Sequence, residues 1–491
     1  MGLLYAYRGV GWMKYTVKVN GVDVPLQTAR VSALPLNKLW DGEQRPVEQT
    51  EEAYFVSFDL MGSAVVEIEV EEPFVTYELR PRSFCLQDIR QGNRITLQVD
   101  RPMQFTFETD GRHRALHVFA NPPSQKPMGR NVLYYGKGEH KADLIWMQSD
   151  QTLYIDEGAV VYGVVYAKDA QNIRIMGRGV LDSSPYRRGD DEHEGGREVQ
   201  EALLARGLSK QEVKYCGNLV LNHCHNVVVE GIVLRDAPLW SLITRNACRD
   251  IVIDNVKLIG QWRYNADGID ICNSSAVTVK NCFVRSFDDS FVARGAYLDG
   301  ESGDVEDVTV ENCVFWCDWG KSIELWCGHK PTALRRITVR DSYLIHISAS
   351  AINIATWFGS EATVVEGVVF RNLYIDGENE YDNLVCESAE NRGYRSIPGF
   401  IPRLTHVSVE KLGKMKGLGT QLCEPVTDFS EFHIAYRDIL YDNVCCDDPR
   451  LGVDVCALDG VHTIEDVRVE NSAFTIAIHT RPPQTVTIKT E

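Results

Sequence analysis

Six segments of the chain are variants of one unit: HNVVVEGIVLRD, RDIVIDNVKLIG, SAVTVKNCFVRS, EDVTVENCVFWC, RRITVRDSYLIH and EGVVFRNLYIDG. Each is a short β-branched run, a polar residue, then Gly, Asn or Asp, then a second apolar run. The marker positions are Gly231, Asn255, Asn281, Asn312, Asp341 and Asn372, spaced 24, 26, 31, 29 and 31 residues apart. QNIRIMGRGVLD, with Gly177, opens the series, and Asn443 and Asn471 continue it after an interruption. Strand patterns recurring at about 20 to 50 residues mean a solenoid, a propeller or an array. A propeller blade needs four strands in about 40–45 residues, and these units are shorter. The expected fold is therefore all-β, a right-handed parallel β-helix with one coil per repeat, stacked at about 4.8 Å. Asn and Gly accept the left-handed backbone that a sharp corner demands, and stacked Asn side chains can hydrogen-bond along a ladder. A β-sandwich with coincidental spacing is the alternative.

The chain begins differently. YTVKVNGVDV, AYFVSFDL, AVVEIEVEE, RITLQVD and MQFTFET alternate with period two between turn residues, the pattern of a small antiparallel β-sandwich. The expected division is a sandwich domain over 13–125 and the parallel β-helix over 126–491, with NPPSQKPMGR as the linker. Met13 is a second candidate start, which would make residues 1–12 an upstream extension. Two segments break the repeat: one after Ser183, with a helix expected near Glu198–Gly207, and a longer excursion from about Glu378 to Glu431. Long loops leaving one side of a solenoid commonly wall a binding groove.

At 491 residues the chain exceeds one ordinary core. A net charge of −18 argues against nucleic acid or an anionic membrane as partner, because either needs basic stripes. No stretch approaches the length of a membrane span, and the start lacks the features of an export signal. Of the fourteen cysteines, Cys282 and Cys313 follow an Asn at equivalent repeat positions where an apolar side chain belongs. No CxxC pair occurs. Reduced core cysteines in a cytoplasmic protein are expected.

The repeat gives meaning to four acids in YNADGIDICNSSAVTVKNCFVRSFDDSFVARG, residues 264–295. Asp267 precedes the doublet Asp288–Asp289 by about one coil, so the three should converge on adjacent rungs of one face, with the doublet spanning a bend. Asp270, at an odd offset, should face the other way. Carboxylates this close cannot all ionise freely, so at least one should have a raised pKa. A protonated carboxyl beside an ionised one is the equipment for glycoside hydrolysis, and inversion needs about 6.5–9.5 Å between acid and base. A calcium site or plain turn residues remain alternatives on spacing alone.

The order of motifs from Gly177 to Thr356 resembles glycoside hydrolase family 28, the polygalacturonase family of right-handed β-helices. GRGVLD resembles its early Gly-x-Gly turn, HNVVVEGIVLRDAPLWSL its coil ending in Pro-x-Trp, NADGIDI its Asn-Thr-Asp-Gly motif, and SFDDSFVAR its Gly-Asp-Asp motif. The resemblance implies Asp288 as general acid, Asp267 and Asp289 as the carboxylates that orient and deprotonate water with inversion, and Asn265 as support for Asp267 or as a sugar contact. It implies no metal and no other cofactor. A sandwich followed by this helix is also similar to family 49 (dextranase, isopullulanase), which acts on neutral α-glucans.

Two departures from the family pattern bear on the substrate. Its Gly-His-Gly falls at DWGKSIELW, where Trp319 takes the His place, and its Arg-Ile-Lys falls at SAINIATW, where Asn353 and Ala355 replace the cations. Those cations bind the galacturonate carboxylate in the family. The expected substrate is accordingly a neutral or deoxy-sugar oligo- or polysaccharide, bound by Trp319, Lys321, Glu324, Trp326, Asn353, Trp357 and Trp240. Arg294 is expected to hold the doublet's charge or contact substrate. Alternatives are a pectin-type hydrolase with relocated carboxylate contacts, a non-catalytic carbohydrate-binding β-helix, and a lyase.

Overall fold

The computed structural model describes most of residues 14–376, apart from 34–46, 187–196, 327–331, 348–349, 356–361 and parts of 296–302; beyond 376 it describes chiefly strands. Strands from Gly138–Met147 to Val486–Thr490, with Val132–Tyr135 before them, form one continuous parallel sheet system ordered as in the sequence, apart from two small antiparallel pairs, Val385–Glu387 with Tyr394–Ser396 and Gly413–Met415 with Cys423–Pro425. It is the right-handed parallel β-helix that the repeat predicts.

A representative coil contains Ser275–Lys280, Phe283–Ser286 and Phe291–Arg294. The first strand alternates buried and half-buried positions, so one face meets the core and the other meets solvent. The other two are buried on both faces, so something must cover them from outside. Inside the coil, Val277, Val279, Cys282, Val284, Phe291 and Ala293 join one apolar column that runs the length of the stack.

The marker residues make the corners. Asn255, Asn281, Asn312, Asp341, Asn372, Asn443 and Asn471 all have φ between 50° and 55°. Their amides bond from rung to rung: Asn312 Nδ2 donates to Asn281 Oδ1 at 2.8 Å and Asn281 Nδ2 to Asp254 Oδ1 at 2.7 Å. Asn443 donates to Asn372 at 2.9 Å although 71 residues separate them, because Ala362–Asp376 and His433–Cys446 are neighbours in register in the stack.

The first part forms two five-stranded sheets between Tyr15 and Asn121. One departs from the expected antiparallel pattern: Leu116–Asn121 runs parallel to Thr50–Asp59. This sheet lies on the outward face of the short second strands of the coils, burying Ala29, Val31, Phe55 and Phe119 against Val180, Val233, Ile259, Phe283, Val314 and Trp316. The third strands are covered near Trp240 by the first excursion, whose helices Arg197–Ala205 and Lys210–Lys214 pack Leu203, Val213 and Tyr215 there. The predicted helix is present. No helix among the described residues is long and apolar enough to cross a membrane. Cys282 and Cys313 are buried and unpaired by disulfide, whereas Cys85 and Cys445 are exposed rather than in the core.

Candidate active site

Three successive coils bend between their second and third strands at residues 263–268, 287–290 and 318–320, and the bends stack. Gly268 N–H donates to Asp289 O at 2.8 Å, Asp288 N–H to Ala266 O at 3.3 Å, and Gly320 N–H to Phe287 O at 3.1 Å. The doublet therefore sits in a bend and not within a strand. Its backbone is pinned by Ser286, whose Oγ donates to Asp288 O at 2.6 Å and lies 2.8 Å from Ser290 Oγ.

Asp267, Asp288 and Asp289 are buried together at this seam. Asp270 joins them, contrary to the expectation that it faces away. Strict alternation fails because Asp267 belongs to the bend before Ile269–Cys272. Arg294 closes the gap: its Nη2 is 3.1 Å from both Asp267 Oδ2 and Asp270 Oδ1. Arg294 thus bridges Asp267 and Asp270 directly, and its charge also favours the ionised form of Asp289 in the doublet. Its guanidinium lies between two indoles, 4.1 Å from the Trp240 ring and 4.9 Å from Trp326. Those tryptophans are buried, 3% and 7% exposed, and their faces hold a cation instead of lying open to a sugar.

A second cation serves the next rungs. Lys321 Nζ is 2.9 Å from Glu324 Oε2 and 3.4 Å from Asp289 Oδ1, and its backbone N–H donates to the same Asp289 oxygen at 2.8 Å. Glu324 Oε1 accepts from Asn353 Nδ2 at 3.2 Å, its neighbour in register. Asn265, itself at φ 56°, donates to Asp288 Oδ2 at 3.3 Å, so it supports the doublet. Trp319 is half-buried, stacked on Phe287 with centroids 5.3 Å apart and close to Tyr264. Trp357 lies outside the described residues.

Burial and crowding separate the carboxyls. Asp267 is pushed well above the usual carboxylate range, by burial first and then by the charges of Asp270, Asp288 and Asp289, against the pull of Arg294. Burial raises Asp270 to about 7 and Glu324 to about 8, with Asp289 adding to both. Asp289 goes the other way. Burial opposes its ionisation, but the Lys321 charge and bonds from Glu324 and the Lys321 N–H hold it below the ordinary value. Asp289 is thus the carboxyl biased toward the ionised form, while burial biases Asp267, Asp270 and Glu324 toward protonation against the pull of Arg294 and Lys321. No group of His, Cys, Asp and Glu among the described residues is arranged to hold a metal ion.

Two further contributors were not among the predicted site residues. A Cβ on Gly320 would come within 2.5 Å of Asp288 Oδ1 and of Asp289 Oδ1, so only glycine lets this bend lie against both acids. Asp318, two residues earlier, is buried between charged and aromatic neighbours of both parts of the molecule.

Residues 152–388 match the model of glycosyl hydrolases family 28. A probable endopolygalacturonase A of Neosartorya fischeri is 22% identical over 209 residues, 42% of this chain and 52% of that protein. Endopolygalacturonase I of Aspergillus niger is 24% identical over 199 residues, 39% of this chain and 50% of that protein. The chain spans about half the length of the curated relatives it matches. Among solved structures, Dex49A from Penicillium minioluteum matches with a TM-score of 0.56 and 14% identity, covering 94% of this chain and 88% of that one. That likeness extends over the sandwich as well as the helix, and it is one of fold.

Proposed function

On the premise that the chain is a relative of glycosyl hydrolase family 28 through residues 152–388, we propose that it is an inverting glycosidase of neutral or deoxy-sugar glycans. Asp288 gives its proton to the glycosidic oxygen as the bond to the leaving sugar breaks. Asp289 and Asp267 orient the attacking water, and one of them takes its proton, leaving the acid to be recharged from solvent. Asp289 suits the base role because Lys321 and Glu324 hold it ionised. Asp267 Oδ1 is buried and makes no hydrogen bond to a described protein group, which leaves it free to accept from the water. The acid role of Asp288 rests on the resemblance of SFDDSFVAR to the family motif.

The observation that carries the substrate class is the occupation of the cations. Arg294 is shared by Asp267 and Asp270, and Lys321 by Asp289 and Glu324. A uronate carboxylate arriving here would have to break one of these pairs, at a cost of several kcal/mol for a buried charge left without its partner. A neutral ring meets no such cost. It gains amide and carboxyl contacts from Asn353 and Glu324 and a half-buried indole from Trp319. The test is turnover on matched oligosaccharide panels. Neutral α- and β-linked oligomers should include the good substrates and galacturonan oligomers should be poor. Efficient cleavage of galacturonan with none of the neutral panel would reverse the assignment.

A second reading is favoured by one observation: burial and the neighbouring carboxyls push Asp267 well above the usual carboxylate range, which suits it to donate a proton. The exchange of roles is testable at the residue level, as argued below.

A further inference from the structure

The sheet of the N-terminal sandwich that faces the coils brings three buried polar side chains to the wall behind the acidic bends. Arg112 Nη2 lies 4.0 Å from Asp318 Oδ1. His117 Nε2 is 3.2 Å from Arg285 Nη1, and since a guanidinium only donates, this nitrogen accepts. Glu108 Oε1 is 2.8 Å from His346 Nε2. On the helix side these partners converge. Arg285 Nε is 3.5 Å from Asp318 Oδ2 and its guanidinium lies 3.8 Å from the Trp316 ring. Trp316 Nε1 donates to Asp318 Oδ1 at 2.8 Å, and the His346 ring packs on the same indole. All of these side chains are nearly inaccessible to water.

We propose that the sandwich is a working part of the catalytic site: Arg112 and His117 fix Asp318 and thereby the 318–320 bend, and through Gly320 the placement of Asp288 and Asp289. This rests on the assignment of those two carboxylates as reacting groups. The physical reason is interlock. Asp318, Arg285 and Arg112 are charges buried to about the same depth, and each is tolerable only while its partners are in place. Asp318 N–H also donates to Ser286 O at 2.9 Å, tying the cage to the strand that leads into the doublet. Gly320 follows two residues later with no room to shift toward either carboxylate. Arg112, His117 and Asp318 are positioning residues, which act through the bend.

The experiment uses the full chain with Arg112→Ala, Arg112→Lys and His117→Phe, read by hydrogen–deuterium exchange and by turnover. In the wild type the amides of residues 318, 320 and 321 are bonded to Ser286 O, Phe287 O and Asp289 Oδ1. In Arg112→Ala and His117→Phe these amides should exchange about tenfold faster, while segment 225–235 is unchanged. On a glycan that the wild type hydrolyses, kcat should fall about tenfold or more with KM within about twofold, because misplacement acts on the transition state. Arg112→Lys keeps a charge with a poorer fork, should lie between, and serves where Arg112→Ala does not fold. Unchanged exchange at 318–321 in the folded variants, or a change in KM alone, overturns the proposal. If the wild type hydrolyses no glycan, the functional assignment fails while the exchange still decides whether the sandwich anchors the bend.

Discussion

At the scale of single residues the site divides into cation-bridged pairs, and the acid among the carboxyls can be identified by its leaving-group dependence. A general acid matters most for a poor leaving group, and its loss typically costs about 10²–10⁴-fold. Asp288→Asn should therefore nearly abolish hydrolysis of an ordinary oligosaccharide yet retain much of the rate on the corresponding glycosyl fluoride, which needs no protonation. Asp289→Asn should lose activity on both. If Asp267→Asn shows the fluoride-tolerant pattern and Asp288→Asn does not, the proton donor is Asp267. Glu324 offers a second test, by pH. Its carboxyl is pushed up from 4.5 to about 8, chiefly by burial. Between those values the unfolded chain gives up this proton while the folded chain keeps it, so the group's contribution to stability falls as pH rises. Glu324→Gln does not titrate. Its stability relative to wild type should climb from pH 4.5 to 8 and level off outside that window, as measured by denaturant unfolding across pH. Parallel curves for the two proteins would contradict the assignment.

At the scale of the element, the corners and bends explain both what was legible in the sequence and what was not. The Asn, Asp and Gly markers could be seen because a left-handed corner tolerates few residue types, and each turned out to be such a corner. Asn312→Ala should cost about 1–2 kcal/mol, from the strained φ of 51° and the lost bond to Asn281, and Asn312→Gly less. An equal cost for both would place the effect in the ladder bond alone. The convergence of Asp267 with the doublet also followed from coil length. Asp270 did not, because counting side-chain parity assumes a straight strand and Asp267 lies in a bend. The roles of Trp240 and Trp326 were hidden for another reason: composition marks a tryptophan as large and apolar, but only the fold reveals that Arg294 fills the space between them. The role of Gly320 was hidden in the same way: it matches the second glycine of the family's Gly-His-Gly, but its contribution is the absence of a side chain. Gly320→Ala should keep the β-helix, as judged by circular dichroism, but reduce kcat about a hundredfold by driving the two carboxylates apart. Wild-type turnover in that variant would show that the bend has slack.

At the scale of the whole molecule, two β architectures share one buried seam. The sandwich covers the second strands of the coils and the first excursion covers the third, so the row of acidic bends lies between two walls. Period-two and period-of-a-coil patterns predicted the two architectures separately, but not the seam, whose polar members are scattered through the sequence as Glu108, Arg112, His117, Arg285 and Asp318. Lys257 is a further case. It is fully buried where the sandwich ends, donating to Asn121 Oδ1 and to the backbone and side-chain oxygens of Asn255, and burial holds its pKa far below the usual lysine range. On the proposed function, the two cations beside the acids already face carboxyl groups, and that arrangement favours a neutral sugar over a uronate. The most direct measurement is proton NMR of one reaction containing a neutral oligosaccharide that the protein hydrolyses and a galacturonan oligomer at equal concentration. The account predicts that the neutral oligomer disappears first and that the anomer first formed from it is the inverted one. A retained first anomer, or galacturonan consumed ahead of the neutral sugar, would contradict it.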